Sequence, residues 1–451
     1  MSEINGNGTI STFGNIYLFP KEQPLTSDDV SGFIDYYENN IQTEMIKNRK
    51  YYTGQHPILE ANASNSNAPD NRLVVNYPKY ITDTFNGFFA GIPPKITLED
   101  ESDNEKLQDF IQSSSFFDHF FEVSKQASMY GRSYFFAYQD EDGVTQLVEY
   151  SPEQSFMIYD DDVARRPRAF VAFGRNKDNE LTGTVYQADQ VTDLEFNVIA
   201  GQVNQFKLVP AAEFYDNEER QGVFDNVETL IDSVNQTVSQ KANDIDYFAD
   251  SYLKLLGMDV DEETLENIRE SRVINSDGEA DVGFLEKPNA DDTQEHHIDR
   301  LNNWIFEISM VSNITDDSFG NAASGKSLEY HLLSMRNLAS TKERKFTQQL
   351  RKLFKVIFAT GSILGTAKAD AWQDLKFDFT RNLPSNITDE IDNFKNVGGT
   401  LSEETKLKLL PDLVEDPKAE VDKMNNETQA LMPSAADYDF QKTDDQTQDE
   451  S

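Results

Sequence analysis

An α+β fold built around long helices is predicted for this 451-residue chain by three observations. Apolar residues recur at helical spacing as far as about residue 130. They alternate with period two from Ser133 to about residue 209, and return to helical spacing from Val223 onward. Blocks of helix and strand that follow one another in this way make an α+β architecture.

Residues 1–25 show no periodicity and are read as a flexible N-terminal arm. Ser27-Asp28-Asp29 is a helix start, and Phe33, Tyr36, Tyr37, Ile41 and Met45 form the apolar stripe of one amphipathic helix that stops at Tyr51-Tyr52-Thr53-Gly54. After a polar loop over residues 60–71, a short helix carries Ile81, Phe85, Phe88 and Phe89 and ends at Gly91 before Pro93-Pro94. A further helix is expected over roughly 103–130. Short strands are expected at 133–139, 144–150, 155–159, 169–174, 181–187, 191–199 and 204–209. Turns such as Asp140 to Gly143 and Arg175 to Asp178 separate them, and the whole reads as an antiparallel meander.

From 223 to 256 the residues Val227, Leu230, Ile231, Val234, Val238, Ala242, Ile245, Ala249 and Leu253 share a broad face, which predicts a rod of roughly 50 Å. One small core cannot cover such a rod, so it is expected to pack against other long helices, including those of other subunits. Residues 257–290 read as a compact insertion, with Glu262–Ser271 helical and Val273-Ile274 and Val282–Leu285 as strands. Residues 291–313 return as a second helix. A long helix from about 326 to 358 has apolar residues at 328, 332, 335, 339, 346, 350, 353 and 357, close to heptad spacing. Its Lys326, Arg336, Lys342, Arg344, Lys345, Arg351, Lys352 and Lys355 meet only Glu329 and Glu343. This basic face is expected to pair with acidic faces of neighbouring helices or subunits in preference to DNA. The tail from Met432 is acidic and apolar-poor, and is expected to be disordered.

Between the last two helices lies a stretch with two incompatible readings. Gly320 to Ser327 spells G-x-x-x-x-G-K-S, the pattern of a phosphate-cradling loop. That motif needs a buried strand running directly into it. Here Trp304, Ile305, Ile308 and Val311 recur at helical spacing upstream, and the polar run Thr315-Asp316-Asp317-Ser318 intervenes. The second metal-binding strand is missing downstream of Lys326. Its nearest imitation, Phe156 to Asp161, lies far upstream. The stretch therefore reads as a mobile Gly/Ser loop, capped at a helix start by Ser324 or Ser327.

Composition sets further bounds. With 38% hydrophobic residues, 31 Phe, 18 Tyr and 2 Trp, the chain can fill real cores. A formal charge of −40 opposes tight binding to a phosphate backbone. It is compatible with a surface along which DNA slides, its repulsion screened beyond about 8–10 Å at physiological salt. No cysteine occurs, which removes disulfides, thiolate metal sites and cysteine nucleophiles. Neither a signal peptide nor an apolar run long enough to span a bilayer is found, so no membrane partner is expected. His296 and His297 point to different faces of a helix and cannot share a metal. Asp160-Asp161-Asp162, beside Arg165 and Arg166, reads as a solvated turn. No catalytic, cofactor or metal residues are assigned, and the chain is expected not to be an enzyme.

A series of motifs in order resembles one family over about residues 27 to 425. They are Tyr51-Tyr-Thr-Gly-Gln-His56, Asn71 to Tyr80 through Gly91-Ile-Pro93, Leu230-Ile-Asp232, Asp317-Ser-Phe-Gly320 with Ser324-Gly325, Lys342-Glu-Arg-Lys-Phe346, Phe379 to Pro384, and Leu401 to Thr405. The family is the portal proteins of long-tailed bacteriophages of Gram-positive hosts. The resemblance implies a homo-dodecameric ring at one capsid vertex, through which the terminase large subunit packs double-stranded viral DNA and the genome later leaves. It also implies a head-tail adaptor and the major capsid and scaffolding proteins as partners. Mapped by resemblance, residues 26–222 with a strand near 373–381 form a wing, 223–256 and 291–313 the stem helices, and 257–290 a clip. Residues 315–325 form a tunnel loop, 326–360 a long wing helix, and 386–425 a helical crown. Asp316, Asp317, Ser318, Phe319, Gly320 and Asn321 would then lie nearest DNA in the channel. Lys326 departs from the family's usual residue after Ser-Gly, which creates the phosphate-loop imitation.

Overall fold

The structure, a computed structural model, describes residues 2–3, 8–11, 14–61, 69–199, 203–249, 253–256, 281–284, 291–314, 330–382 and most of 391–431. The chain divides into two units, residues 1–382 and 383–451.

The N-terminal helical part is more broken than its apolar stripe predicts. Helix α1 (Ser27–Asn40) starts at Thr26, whose Oγ accepts from Asp29 N while the Asp29 carboxylate accepts from Thr26 N at 3.0 Å, a reciprocal capping box. The buried Ile41 separates it from α2 (Gln42–Tyr52). Helix α3 (Tyr77–Ala90) is capped by Asn76 and has proline in its first turn. The helix expected over 103–130 is two, α4 (Glu101–Ser113) and α5 (Phe116–Tyr130). The break falls in the run Ser113 to Ser115: Ser114 Oγ donates to Phe110 O at 2.8 Å, and Ser115 takes a left-handed φ of 49°. At the end of α5, Gly131 has φ 81°, and a Cβ there would stand 2.0 Å from Arg220 O, so only glycine fits.

The strands form two sheets, not one meander. A seven-stranded sheet has the order β1 (Ser2–Glu3), β2 (Thr9–Ser11), β3 (Ile16–Phe19), β7 (Ser155–Asp160), β8 (Pro167–Arg175), β9 (Leu181–Gln187), β10 (Val191–Asp193). A three-stranded sheet has β5 (Ser133–Gln139) between β6 (Thr145–Tyr150) and β11 (Ala211–Phe214). The expectation of a flexible arm is corrected here: β3 pairs in parallel with β7, Tyr17 opposite Ile158. All four β3 residues are buried, and the Tyr17 ring stacks on Phe156 at 4.8 Å and meets Phe33 edge-on at 5.5 Å. The strand expected at 204–209 is likewise displaced to β11, and only 191–193 of the 191–199 run is strand, with an isolated bridge from Thr192 to Val198. Ile16, Leu18, Tyr134, Phe136, Met157 and Phe170 fill one core cluster between the sheets. The strand expected near 373–381 is β14 (Lys376–Asp378), antiparallel to β4 (Lys95–Thr97).

The expected 34-residue rod is shorter. Helix α6 spans Glu228–Ala249, about 33 Å. Residues Leu253–Leu256 form strand β12, antiparallel to β13 (Asp281–Phe284). Apolar residues at 253, 255 and 256 satisfy a strand as well as a helix, and pairing with 281–284 decides between them. The helix expected at 262–271 and the strand at 273–274 lie outside the described residues. Helix α7 (Asp291–Ser309) packs along α6, with Lys241 paired to Glu295. It stops where Met310 takes φ 60°, short of the expected 313. Helix α8 (Leu333–Ala359) is the long basic helix.

In the second unit, α9 (Glu403–Leu407) is capped by Ser402, whose Oγ accepts from Thr405 N at 3.3 Å, and α10 spans Pro417–Leu431. The acidic tail from 432 lies outside the described residues.

Candidate functional site

The stretch 315–329, which contains Asp316, Asp317, Ser318, Phe319, Gly320, Asn321 and the phosphate-loop imitation to Ser327, lies outside the described residues. The frame that holds its two ends is described. Tyr77 and Tyr80, one helical turn apart on α3, meet the Phe306 ring of α7 edge-on at 5.5 and 5.8 Å. Tyr77 Oη donates to Asn302 Oδ1 at 2.8 Å, and Tyr80 Oη accepts from Ile314 N at 3.0 Å. Across the gap, Ser312 Oγ donates to His331 O at 2.9 Å. Val311 and Leu332, flanking that bond, are buried. The segment thus leaves and rejoins the body at one foot, fixed by hydroxyls that its own sequence does not contain. Residues 310–314, the part of its approach that is described, are not strand.

Helix α8 carries the C-terminal side of this foot, and its basic residues correct an expectation. Lys342 does not face a neighbouring subunit: it is fully buried within its own chain. Its Nζ lies 3.1 Å from Asp216 Oδ1 and donates to Ser128 Oγ at 2.7 Å and Ser124 O at 2.9 Å. The rings of Phe89, Phe346 and Phe85 surround it at 4.9, 5.0 and 5.2 Å. Burial pulls the Lys342 ammonium below its ordinary range and Asp216 above its own; each partner's charge opposes the shift of the other. Lys345 pairs with Glu218. Arg351 donates to the carbonyls of Gln373 at 3.0 Å and Leu375 at 3.1 Å, and Lys355 lies over the Trp372 ring. The side chains of Arg344 and Lys352 are left exposed. The heptad stripe therefore packs the helix into its own body, and most of the basic face is used there.

A second buried network locks the N-terminal strands beneath this helix. Glu213 on β11 accepts from Tyr159 Oη at 2.6 Å and from Arg220 at 3.3 Å, with Arg132 at 3.5 Å. Arg132 also donates to Gly14 O at 2.6 Å. Burial would raise the Glu213 carboxyl, but Arg220 and Arg132 outweigh it and hold it at about 2.

Helix α6 is tied by a ladder to the extended segment that leads into α3. The N–H groups of Val75, Leu73 and Asn71 donate to Asn235 Oδ1 (2.7 Å), Ser239 Oγ (2.9 Å) and Asn243 Oδ1 (2.5 Å). Two residues of extended chain advance about 6.6 Å and four residues of helix about 6.0 Å, so the partners stay in step. His56 joins the same ladder: its Nε2 faces Tyr51 O at 3.1 Å, and its Nδ1 accepts from Asn235 Nδ2 at 2.9 Å. A carbonyl only accepts, so Nε2 carries the proton and the ring is neutral. Burial holds its pKa below the ordinary histidine value. The unfolded chain then takes up a proton below about pH 6.5 that the folded chain refuses, and stability falls with pH from there down to the folded pKa. A urea-midpoint series from pH 7 to 5 is expected to show this slope, and His56→Gln to flatten it; an unchanged slope in His56→Gln would remove His56 as its source.

Elsewhere the expected chemistry is sparse. His296 and His297 are exposed on α7. Asp162 Oδ1 accepts from Ala164 N and Arg165 N, and Asp160 Oδ1 from Arg166 N at 2.7 Å, so these carboxylates shape a turn. Asp160 is buried within the seven-stranded sheet, in line with structural duty. Among the described residues no group of three or more His, Cys, Asp or Glu is placed to hold a metal ion. Nor is any helix among them long and apolar enough to cross a membrane.

Residues 31–434 match the family model described as phage portal protein, SPP1 Gp6-like. The portal protein of Bacillus phage SPP1 is 24% identical over 432 residues, which cover 87% of this chain and 82% of that protein. The portal protein of Clostridium phage phiCD119 is 21% identical over 438 residues, covering 88% and 95%. A solved neck of a native gene transfer agent particle, computed with C12 symmetry, aligns with TM-score 0.49 and 11% identity over 84% of this chain and 98% of that one.

Proposed function

The chain belongs to the SPP1 Gp6-like family of phage portal proteins, and from that membership we propose that it assembles as a homo-dodecameric ring at one capsid vertex of the virion. The ring's channel passes double-stranded viral DNA inward during packaging by the terminase large subunit and outward on ejection. A head-tail adaptor attaches to it, and major capsid and scaffolding proteins surround it during assembly in the host cytoplasm. Asp316, Asp317, Ser318, Phe319, Gly320 and Asn321 are the positions we place nearest the duplex. The observation that carries this reading is the foot at Tyr80, Ser312 and His331: it fixes both ends of the 315–329 segment on a body whose long helices are held by buried networks. A chain of net charge −40 offers DNA few cations to hold, and weak contact suits translocation.

In this role the protein guides DNA and does not hydrolyse nucleotide; Lys326 has no turnover to support. Electron microscopy of the purified full chain is expected to show closed rings of about twelve subunits with a central pore. Monomers or dimers at every concentration would overturn the ring. ATPase activity in the wild type that Lys326→Ala abolishes would overturn the passive mechanism.

A further inference from the structure

Two exposed stripes flank the foot of the 315–329 segment, and each joins apolar residues to a charge that lacks an ion-pair partner among the described residues. On α7, Trp304 (44% exposed) and Ile308 (49%) lie one turn apart, with exposed Glu307 beside them. Tyr330 (78%), just before the long helix, and Leu333 (52%), its first residue, are exposed, with exposed Arg336 one turn beyond Leu333. Large apolar side chains grouped with a charge on an otherwise acidic, polar surface mark an interaction site, and Trp, Tyr and Arg are the residues that carry most interface energy.

The two stripes are different, opposite in charge, and both close to the foot. Ile308 precedes Ser312 by four residues, Leu333 follows His331 by two, and Ser312 is bonded to His331. A closed ring needs two unlike, complementary patches on each chain, and these stripes supply an apolar face and one charge of each sign. We propose that the Trp304–Glu307–Ile308 stripe of one copy docks on the Tyr330–Leu333–Arg336 stripe of the next, with Glu307 paired to Arg336 across the joint. The inference rests on the ring reading above and adds which surfaces close the ring.

The test is a charge exchange in the full chain, read by electron microscopy and sedimentation at fixed concentration. Glu307→Arg and Arg336→Glu are each expected to weaken ring assembly at least tenfold in subunit concentration, and the combined Glu307→Arg/Arg336→Glu chain to restore it. Trp304→Ala is expected to weaken assembly by a similar factor. All three positions are exposed, so thermal melts of the subunits should be unchanged, which separates lost docking from lost folding. Rings at wild-type concentration in both single variants, or single defects that the exchange does not repair, overturn this interface while leaving the ring reading intact. A wild-type chain that never forms rings removes the ring reading and this interface with it.

Discussion

Lys342→Met is expected to cost about 3–5 kcal/mol of folding stability, the usual penalty when one partner of a buried ion pair is removed and the other charge is stranded. Methionine fills the cage of Phe85, Phe89 and Phe346 with little change of volume, so the loss is that of the ammonium, its charge together with its hydrogen bonds to Ser124 O and Ser128 Oγ. What remains is the Asp216 carboxylate, buried, with Ser128 Oγ at 2.8 Å as its neutral donor. Lys342→Met/Asp216→Asn, which leaves no uncompensated charge, is expected to recover a large part of the deficit, and the double-mutant cycle measures the coupling. Urea midpoints at one protein concentration are the appropriate readout, because assembly would otherwise add its own stabilisation. A single-variant cost under about 1 kcal/mol would show that the two groups are not ionised inside the protein. The pair matters for function because α8 bears the C-terminal side of the foot. With the register of α8 loosened, the bond from Ser312 to His331 loses its fixed acceptor.

The strands from 133 to 187 were legible as short runs of aromatic and β-branched residues cut by turns, even though β5 and β7 are buried on both faces. The strand Ile16–Phe19 was not: it is only four residues long, and its partner β7 lies some 140 positions away. The helix breaks at Ile41 and Ser114–Ser115 were hidden because the apolar face runs on across them. Lys342 shows how far side-chain chemistry can be read without neighbours. Its place in a run of basic residues says surface, whereas its place in the heptad stripe between Ala339 and Phe346 says core. Only the arrival of Asp216 and Ser128 from another part of the chain makes the second reading affordable. The foot is legible in part. Tyr77 and Tyr80 stand among the motifs that carry the family resemblance, but no spacing rule joins them to Asn302 and Ile314, more than two hundred residues on.

Glu213→Gln is the other substitution with a large expected effect, and its signature is in its pH dependence. The carboxyl rests at about 2, because Arg220 and Arg132 overcome the burial that would raise it. A carboxyl whose folded pKa is depressed contributes stability that is fully present above its unfolded value, near pH 4.3, and is lost as pH falls through its folded value. Two units or so correspond to about 3 kcal/mol. At pH 7, Glu213→Gln keeps the shape and one acceptor but leaves two buried guanidinium groups facing a neutral amide, at an expected cost of about 3–5 kcal/mol. Between about pH 5 and pH 2 the wild type loses its advantage while the variant does not, so the gap between their urea midpoints should narrow. A gap constant across that range would mean that the carboxylate acts through shape and hydrogen bonds, not through charge. Because Arg132 also holds Gly14 O, the first region to open should be the N-terminal strands. Limited proteolysis of the variant should therefore cut near residues 14–15 under conditions where α8 stays intact.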